Sequence, residues 1–374
     1  MKPSEIKALS RTFEINSLVS HVKQKAAKED VLFVAESDDV SIIVLTGPTG
    51  VGKTTLLSQF ATEYLGKCQH EMAANSSLRP IAYVMASASG HKAFDWKHLY
   101  QQTLVNLDDP FAATRDRRND GKKPAMILPG EDFASALLRE QLSSAFQSTG
   151  TRKWIIDEAQ HVLWGGKSGT PGHQYDVLKS LAQRCNVQLI LCGPFDLPDS
   201  VAYSGQLSRR TARITLHRYK WVKHDLKDFA SALKSIMSAL PAPMTYPDIK
   251  LNIKFFYVGT LGCIGIFKDW AAKAYRGALR RDSTEIAIED FKRWRLSPKQ
   301  LAQINAEIVA GESEYDDVNT EPEEDLVRAI LRGNAVPKAA PAKAPNATTD
   351  ATGKAPKAAP FARSATRDPV GEPA

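Results

Sequence analysis

The stretch of residues 42–55, IIVLTGPTGVGKTT, restricts the possible folds of this chain more than any other feature. An apolar, strand-like run passes through a glycine-containing loop into a helical pattern. Four positions fit the spacing G-x-x-x-x-G-K-[ST]: Gly47, Gly52, Lys53 and Thr54. A loop without bulky side chains can aim successive backbone N–H groups at phosphate oxygens, and the positive end of the following helix attracts the same anion. The stretch therefore predicts a nucleotide-phosphate site, with an ordinary glycine-rich turn between a strand and a helix as the alternative.

Each part of this loop has an expected task. The Lys53 ammonium would reach the β- and γ-phosphates, and the Thr54 hydroxyl would ligate Mg²⁺. An amphipathic run that begins at Leu56 supports a helix directly after the loop. The residues expected to contact the nucleotide are Gly47, Pro48, Thr49, Gly50, Val51, Gly52, Lys53, Thr54 and Thr55.

The composition is that of a soluble chain with sizeable hydrophobic cores. The 374 residues are sufficient for two domains and a tail, and 43% of them are hydrophobic. The longest apolar runs are far shorter than the ~20 residues that span a bilayer, and the N-terminus has no apolar signal core. We expect a cytoplasmic (prokaryotic) location with no membrane partner. Four scattered cysteines lack metal-ligand spacing, and the net charge of +7 permits a polyanionic partner without requiring one.

Strand-like and helical segments alternate through the first part of the chain. The predicted strands are one that begins near Ser41, then residues 81–86, 154–156 and 187–192, with helical segments at 92–107 and 131–146. This alternation predicts an α/β fold with a mostly parallel sheet flanked by helices on both faces. Ligands of such sheets lie beyond the carboxyl ends of the strands, so the phosphate loop, Asp157-Glu158 and Gly193 are expected to meet there.

The rest of the domain organisation follows from changes in pattern. We predict an N-terminal helical segment at 1–40, a nucleotide-binding core at 41–222, a small helical domain at 223–310, an acidic linker with a short helix at 311–334, and an Ala/Pro/Lys-rich tail at 335–374. The tail cannot bury a core and is predicted to be disordered. A tether for a partner protein and a plain solubilising tail are both open.

Two adjacent carboxylates end the strand-like segment of residues 154–158. Asp157 would hold Mg²⁺, usually through water, and Glu158 would accept a proton from the water that attacks the γ-phosphate. Strands often end in acidic residues, so the pair gains its meaning from the phosphate loop about a hundred residues earlier. Together they predict Mg²⁺-dependent hydrolysis of a nucleoside triphosphate.

A basic segment, residues 206–213, follows the last predicted strand. The guanidinium groups of Arg209 and Arg210, supplied to a neighbouring subunit, would stabilise charge that develops on the transferred phosphate. Arg213 is a weaker candidate for that role. Arginines paired with acids on the surface are the alternative for each of them.

The order of these motifs resembles that of the AAA+ ATPases of transposons called TnsC and TniB. The similar segments are residues 47–54, 94–97, 154–161, 189–193 and 207–210, and the resemblance covers about residues 30–310. It implies an AAA+ P-loop core with a helical lid domain, and an ATP- and Mg²⁺-dependent regulator that oligomerises as a filament or ring on double-stranded DNA. Such a regulator connects a target-selection factor to the transposase and disassembles on hydrolysis.

The resemblance has three points of detail at the site. His161 resembles a family position that packs beside the active site, with a plain buried helix histidine as the alternative. Cys192-Gly193-Pro194 lacks the polar side chain that often senses the γ-phosphate, so that role is vacant or falls to a neighbour. In the lid, Lys268 is the basic candidate for nucleotide contact close to the glycine-rich segment 259–265.

Contact with DNA would need only a few backbone contacts from each subunit, because repetition along the duplex multiplies them. The candidate residues are Lys92, Lys97, Arg115, Arg117, Arg118, Lys122 and Lys123. Their composition suits sequence-independent phosphate binding, and a solvated surface loop is the alternative.

Two other functions remain open from the sequence. One is a AAA+ motor that does not act on DNA, such as an ExeA-like secretion ATPase, and the other is a nucleotide-gated scaffold with negligible turnover. The sequence does not fix the target selector, the number of subunits in a turn, or the base of the nucleotide.

Overall fold

The structure, a computed structural model, describes residues 21–37, 39–88, 94–107, 127, 132–163, 171–195, 197, 210–240 and 244–316. It divides into two compact units, residues 1–318 and 319–374. The second unit lies outside the described residues, and so do the predicted acidic linker from residue 317 onward, the tail and the first 20 residues of the predicted N-terminal segment. The description below therefore concerns the first unit.

A parallel sheet forms the centre of this unit. Its strands are β1 (Ile42–Thr46), β2 (Ile81–Met85), β3 (Lys153–Asp157), β4 (Gln188–Gly193) and β5 (Thr211–Thr215). The described strands lie in the order β2-β3-β4-β1-β5, and each pair of neighbours is parallel. The predicted mostly parallel sheet is confirmed, and its first four strands differ from the predicted bounds by only one or two residues.

The fifth strand corrects the sequence analysis, which placed residues 206–213 beyond the last strand. Residues 211–215 instead pair with β1 along its whole length, from Ile42 with Thr211 to Thr46 with Thr215. The sequence TARIT has no apolar run, because β5 is an edge strand in which only Ile214 is buried. Edge strands do not need the continuous hydrophobic sequence of central strands.

The central strands β1, β3 and β4 are buried at every residue. Alternate side chains supply two separate hydrophobic clusters, one on each face of the sheet. Ile42 and Val44 face one cluster, while Ile43 and Leu45 face the other. Continuous runs of branched residues are therefore explained by helices on both sides of the sheet.

Helices cover both faces of the sheet. Those described in the core are α1 (Val22–Ala35), α2 (Lys53–Lys67), α3 (Gln69–Ala74), α4 (Trp96–Asn106), α5 (Phe133–Ser148), α6 (Gln160–Leu163) and α7 (Pro171–Cys185). Helices α1 and α2 pack in one cluster, and α4, α5 and α7 pack in the other. Asp95 and Asp132 cap α4 and α5, since their carboxylates accept from the backbone amides of His98 and Ser135.

The region after residue 222 is helical, as predicted. It contains α8 (Lys223–Ser238), α9 (Ile253–Thr260), α10 (Ile264–Arg280), α11 (Ile288–Trp294) and α12 (Pro298–Asp316). Helices α8, α9, α10 and α11 share a third hydrophobic cluster. It is rich in aromatic rings, among them Phe229, Phe256, Phe267 and Trp270. This region therefore has a core of its own, distinct from the two clusters of the sheet.

The helical region is fastened to the sheet by specific contacts. The Arg218 guanidinium, three residues after the end of β5, forms a bidentate ion pair with Glu312 of α12, with both N–O distances 2.9 Å. The same guanidinium donates to the carbonyl oxygen of Leu261, at the turn between α9 and α10, at 3.1 Å. A bidentate, largely buried pair fixes orientation as well as distance. The start of α10 is thus held close to the carboxyl ends of the strands.

None of the described helices is both long and apolar enough to cross a membrane.

Candidate active site

The loop of residues 47–52 joins β1 to α2, as the motif requires. Lys53 is the first residue of α2, and its ammonium folds back to donate to the carbonyl oxygens of Gly47 and Pro48 at 2.8 and 3.1 Å. Helix α2 begins beside this ammonium, so the positive end of its dipole and a positive side chain face the same space. The arrangement suits a polyphosphate.

The Thr54 hydroxyl donates to Asp157 Oδ2 at 2.7 Å. These two residues are 103 positions apart and meet because β3 ends beside the start of α2. Asp157 is only 1% exposed. Its other oxygen, Oδ1, accepts from the backbone amide of Glu158 at 2.9 Å, which fixes the plane of the carboxylate.

Two further side chains surround Asp157. The Tyr83 hydroxyl, on β2, donates to Asp157 Oδ2 at 3.0 Å. Burial, followed by the nearby Asp157 carboxylate, raises the pKa of Tyr83, so this phenol stays protonated and remains a donor. Burial and the same carboxylate raise the pKa of the Cys192 thiol well above its ordinary value. Asp157 therefore accepts from a hydroxyl, a phenol and a backbone amide.

Glu158 adopts a left-handed backbone conformation, with φ of 53°. Few residues other than glycine adopt it, and such conformations occur often at functional sites. The carboxylate is held by Gln160, whose Nε2 donates to Glu158 Oε2 at 2.5 Å. Gln160 lies over Gly193, because a Cβ atom at residue 193 would come within 2.9 Å of Gln160 Oε1. The absence of a side chain at Gly193 thus leaves room for the Gln160 amide.

A cleft of about 280 Å³ lies among these groups. Lys53, Thr54 and Glu158 line it from the core, and Lys268 and Asp269 line it from α10. The cleft has the dimensions and the polar lining of a small-molecule site. The described residues that line it do not include His161, which is half-buried on α6 rather than fully buried.

Helix α10 meets the phosphate loop through close backbone contact. The Ile266 backbone amide donates to the Gly50 carbonyl oxygen at 3.2 Å. A Cβ atom at residue 265 would lie 2.5 Å from that same oxygen, so only glycine fits at Gly265 without a shift. The glycine-rich segment 259–265 and the first residues of α10 therefore contact the phosphate loop at Gly50.

The donor set of the cleft fits Mg²⁺. Thr54 offers a hydroxyl oxygen and Asp157 a carboxylate oxygen, and Mg²⁺ takes oxygen ligands of this kind. It also keeps several waters and takes phosphate oxygens of a bound nucleotide, so two protein oxygens are sufficient.

Of the basic residues predicted to contact DNA, Lys97 is described, and Lys92, Arg115, Arg117, Arg118, Lys122 and Lys123 lie outside the described residues. The Lys97 ammonium is 3.2 Å from the Asp132 carboxylate, and its side chain is 39% exposed. Lys97 therefore has an intramolecular partner but keeps access to solvent.

Arg209 lies outside the described residues, whereas Arg210 is exposed immediately before β5. The Arg210 carbonyl oxygen accepts from the backbone amides of Ser41 and Ile42 at the start of β1. Arg210 is consequently at the amino end of the parallel strands, while the cleft is at their carboxyl end, about 16 Å away for five-residue strands. Arg210 does not line the cleft of its own chain.

Two residues at the site had no predicted role. Gln160 lies two residues after Glu158, so the sequence shows that the two residues are close. It does not show that the Gln160 amide donates a hydrogen bond to the Glu158 carboxylate. Tyr83 sits on β2, 74 residues before Asp157. Nothing in the alternation of strands and helices indicates that β2 lies next to β3, which is what brings the phenol to the carboxylate.

Comparison with known proteins agrees with the P-loop geometry. Residues 37–200 match the family model described as AAA domain, AAA_22. No curated protein has significant sequence similarity to the chain. The comparisons do not name the TnsC/TniB family, so that finer assignment stays a prediction.

Solved structures with a similar fold include the ORC2 protein of Aeropyrum pernix in ADPNP–ADP complexes, at 13% identity, a TM-score of 0.48, and coverage of 78% of this chain and 66% of that chain. Cdc6p of Pyrobaculum aerophilum has 16% identity, a TM-score of 0.48, and coverage of 73% and 65%. Drosophila ORC bound to DNA has 14% identity, a TM-score of 0.44, and coverage of 89% and 76%. This chain thus spans about two thirds of the length of the first two. Its described core is a parallel five-stranded sheet flanked by helices, and it has the P-loop fold of AAA+ ATPases.

Proposed function

We propose that this chain is a Mg²⁺-dependent ATPase that regulates DNA transposition. The observation that carries the proposed chemistry is the 2.7 Å contact between the Thr54 hydroxyl and Asp157 Oδ2 beside Lys53. It brings the phosphate loop and the acid pair, which are far apart in the sequence, to one cleft. The phosphate loop, the Lys53 ammonium and the two carboxylates Asp157 and Glu158 are arranged in a way that suits phosphoryl transfer from a nucleoside triphosphate to water.

The residues of the cleft divide the hydrolytic step between them. Lys53 exchanges its loop carbonyl partners for β- and γ-phosphate oxygens. Thr54 and Asp157 would hold Mg²⁺, which would supply positive charge against the phosphates. Glu158 accepts a proton from the attacking water as the new P–O bond forms and the bond to the β-phosphate oxygen breaks. ADP, phosphate and the proton on Glu158 are the products of this step.

An arginine from a second copy of the chain completes the proposed site. Arg210 is exposed and lies at the opposite end of the strands from its own cleft, which leaves it available to a neighbouring subunit. Arg209 is its partner in this proposal. A guanidinium supplied in trans stabilises the charge on the transferred phosphate and couples hydrolysis to assembly.

The regulatory part of the proposal rests on the order of motifs that resembles TnsC and TniB. With ATP bound, copies of the chain assemble on double-stranded DNA and connect a target-selection factor to the transposase. Hydrolysis then releases the assembly. Lys97 and the basic residues of segment 115–123 supply contacts to the DNA backbone, so binding requires ATP and weakens with salt.

Replacement of Glu158 by Gln tests the ATPase proposal against the scaffold alternative. We expect Glu158→Gln to lower phosphate release about 10²- to 10⁴-fold while ATP binding and assembly on duplex DNA remain. Calorimetry gives the binding constant, and electron microscopy with ATP and DNA gives the assembly. The control is Glu29→Gln, which alters an exposed carboxylate on α1 and should match the wild type.

Three outcomes contradict parts of the proposal. If the wild type binds ATP but releases no more phosphate than Glu158→Gln, the chain is a scaffold. If hydrolysis is normal but no assembly forms on DNA at low salt, the DNA role is wrong and a AAA+ motor of the ExeA-like kind is favoured. If the wild type does not retain ATP, the whole proposal fails.

A further inference from the structure

Exposed positive charge collects where α11 ends, in the helical region. The segment of residues 291–299, FKRWRLSPK, contains four cations and no acidic residue. All four cations are exposed, and Trp294, which lies between two of them, is 41% exposed. We call the consecutive residues Arg293, Trp294 and Arg295 the basic tip of α11. None of the three lines the nucleotide cleft, so the proposed ATPase chemistry does not account for them.

Neither arginine of the basic tip has a carboxylate partner among the described residues, because both acids of α11 are occupied. The Asp290 carboxylate is buried, and both of its oxygens accept from the Arg281 guanidinium. Glu289 pairs with Lys292 at 3.5 Å. The charge of the two arginines is therefore not neutralised by an ion pair within this part of the chain.

Aromatic rings hold the two guanidinium groups instead. The Cζ atom of Arg293 lies 5.6 Å from the centroid of the Trp294 ring, and that of Arg295 lies 5.9 Å from the centroid of Phe255 on α9. A guanidinium over a ring keeps its full charge and leaves N–H groups at its edge for another partner. Each group is thus held in place while its charge remains available.

Helix α10 connects the basic tip to the phosphate loop. In its first turn the Ile266 backbone amide donates to the Gly50 carbonyl oxygen, and one turn later Trp270 Nε1 donates to the carbonyl oxygen of Phe291 in α11 at 2.7 Å. One helix of 17 residues, about 25 Å long, therefore contacts both the cleft and α11. A partner bound at the tip would be held in a fixed position relative to the nucleotide.

The partner of this surface must carry negative charge that planar guanidinium groups recognise. Phosphodiester groups fit, and duplex DNA presents them at short, regular intervals, so each arginine of one tip can contact a phosphate. A membrane surface is a poorer fit, because it requires several apolar side chains that enter the boundary of the bilayer. Trp294 is the one large apolar side chain exposed in segment 291–299.

We propose that the basic tip of α11 binds the phosphate backbone of duplex DNA, as a contact separate from those proposed for Lys97 and segment 115–123. This inference rests on the proposed function, from which it takes the identity of the polyanion. Arg293 and Arg295 donate to phosphate oxygens, and Trp294 packs against the adjacent sugar. None of these contacts reads the base sequence. Each subunit of the assembly then holds DNA through its core and through its helical region.

Fluorescence anisotropy with a labelled DNA duplex tests this contact, using the full chain, Mg²⁺, a non-hydrolysable ATP analogue and a series of salt concentrations. Each phosphate contact steepens the dependence of log affinity on log salt concentration by about 0.9. Arg293→Gln/Arg295→Gln removes two contacts, so the slope per subunit should fall by about 2, and the affinity about 10- to 100-fold at about 0.1 M salt. ATP affinity, measured by calorimetry, should stay at the wild-type value and verifies that the variant is folded.

Two further variants separate the basic tip from general charge effects. Lys25→Gln/Lys227→Gln removes the same charge from exposed residues of α1 and α8 and should bind the duplex as the wild type does. Arg293→Lys/Arg295→Lys keeps the charge, so it should keep the salt slope and lose less affinity than the glutamine variant. A loss in either variant equal to that of Arg293→Gln/Arg295→Gln would overturn the proposal.

The failure of this inference differs from a failure of the proposed function. If Arg293→Gln/Arg295→Gln binds the duplex with the affinity and slope of the wild type, the contact at the tip is wrong and the proposed DNA role stands. If the same variant loses binding to phosphatidylglycerol vesicles but not to DNA, the tip contacts lipid and the proposal is overturned. If the wild type binds no duplex at low salt, the proposed DNA role itself is contradicted.

Discussion

At the phosphate end of the cleft, the functional groups come from two short segments, residues 47–55 and 157–160. The neighbouring cavity of about 30 Å³ is instead lined by side chains from separate helices, among them Gln24 of α1, Ile236 of α8 and Ile264 of α10. The phosphate end is polar and charged, and except for Gln160 Oε1, which has no described partner, its groups are bonded to one another. Lys53 is bonded to loop carbonyls, Thr54 to Asp157, and Gln160 Nε2 to Glu158. In the neighbouring cavity, His21 Nε2 and Gln24 Oε1 both lack a described partner.

This difference determines what binding does at each end. At the phosphate end a ligand mainly exchanges existing hydrogen bonds for new ones, and such exchanges contribute a modest net free energy per bond. In the neighbouring cavity a ligand or a water molecule adds bonds that were missing, which returns the larger cost of an unsatisfied buried group. We therefore expect the phosphate end to control the rate of hydrolysis.

The largest expected effect lies at the phosphate end, with Asp157→Asn. The amide keeps an oxygen for the Glu158 backbone amide but removes the charge that attracts Mg²⁺. Metal assistance is worth several kcal/mol, so kcat should fall about 10²- to 10³-fold, and the Mg²⁺ concentration needed for half-maximal phosphate release should rise. The control is Asp39→Asn, an exposed residue before β1. An unchanged Mg²⁺ requirement in Asp157→Asn would contradict the assignment of Asp157 as a metal ligand.

Gly265→Ala tests the junction between the cleft and the neighbouring cavity, because Gly265 lines both. The added Cβ would lie 2.5 Å from the Gly50 carbonyl oxygen, so the start of α10 must move away from the phosphate loop. Overpacking of this kind costs about 1–3 kcal/mol, and ADP affinity should fall about 10- to 100-fold.

Inorganic tripolyphosphate, which lacks the base, sharpens this prediction. Its affinity should fall less than that of ADP in Gly265→Ala, since α10 lines both the cleft and the neighbouring cavity, and tripolyphosphate does not need to enter the second. Gly66→Ala, where an added Cβ meets nothing within 4 Å, is the control and should leave both affinities unchanged. An equal loss for ADP and tripolyphosphate would mean that α10 supports the loop itself.

The same contrast explains what could be predicted from sequence. The meeting of Thr54 with Asp157 follows from a contiguous motif and from the rule that parallel strands end at one edge, so it needed no knowledge of side-chain packing. Tyr83 was missed because its role depends on β2 lying next to β3. His21 and Gln24 were missed because a helical pattern shows which face is buried but not which atoms remain unpaired. β5 was missed because its sequence, TARIT, has no apolar run. The predicted roles of Arg209, Arg210 and the DNA-contacting residues stay predictions.

The smallest expected effect concerns Gln160, which positions Glu158 without supplying charge. Gln160→Leu removes the donor to Glu158 Oε2 and should lower kcat about 10-fold through loss of orientation, with ATP affinity unchanged. The control is Gln141→Leu on α5, whose Oε1 is likewise buried without a described partner.

Gly193→Ala provides an independent route to the same outcome, because its Cβ would come within 2.9 Å of Gln160 Oε1 and displace that amide. If Gln160 acts by positioning Glu158, the double variant should be no slower than Gln160→Leu alone, since the second change has nothing left to displace. Single-turnover phosphate release measures this coupling. Fully additive losses would place the effect of Gly193→Ala elsewhere at the end of β4 and would leave Glu158 oriented by its own left-handed backbone.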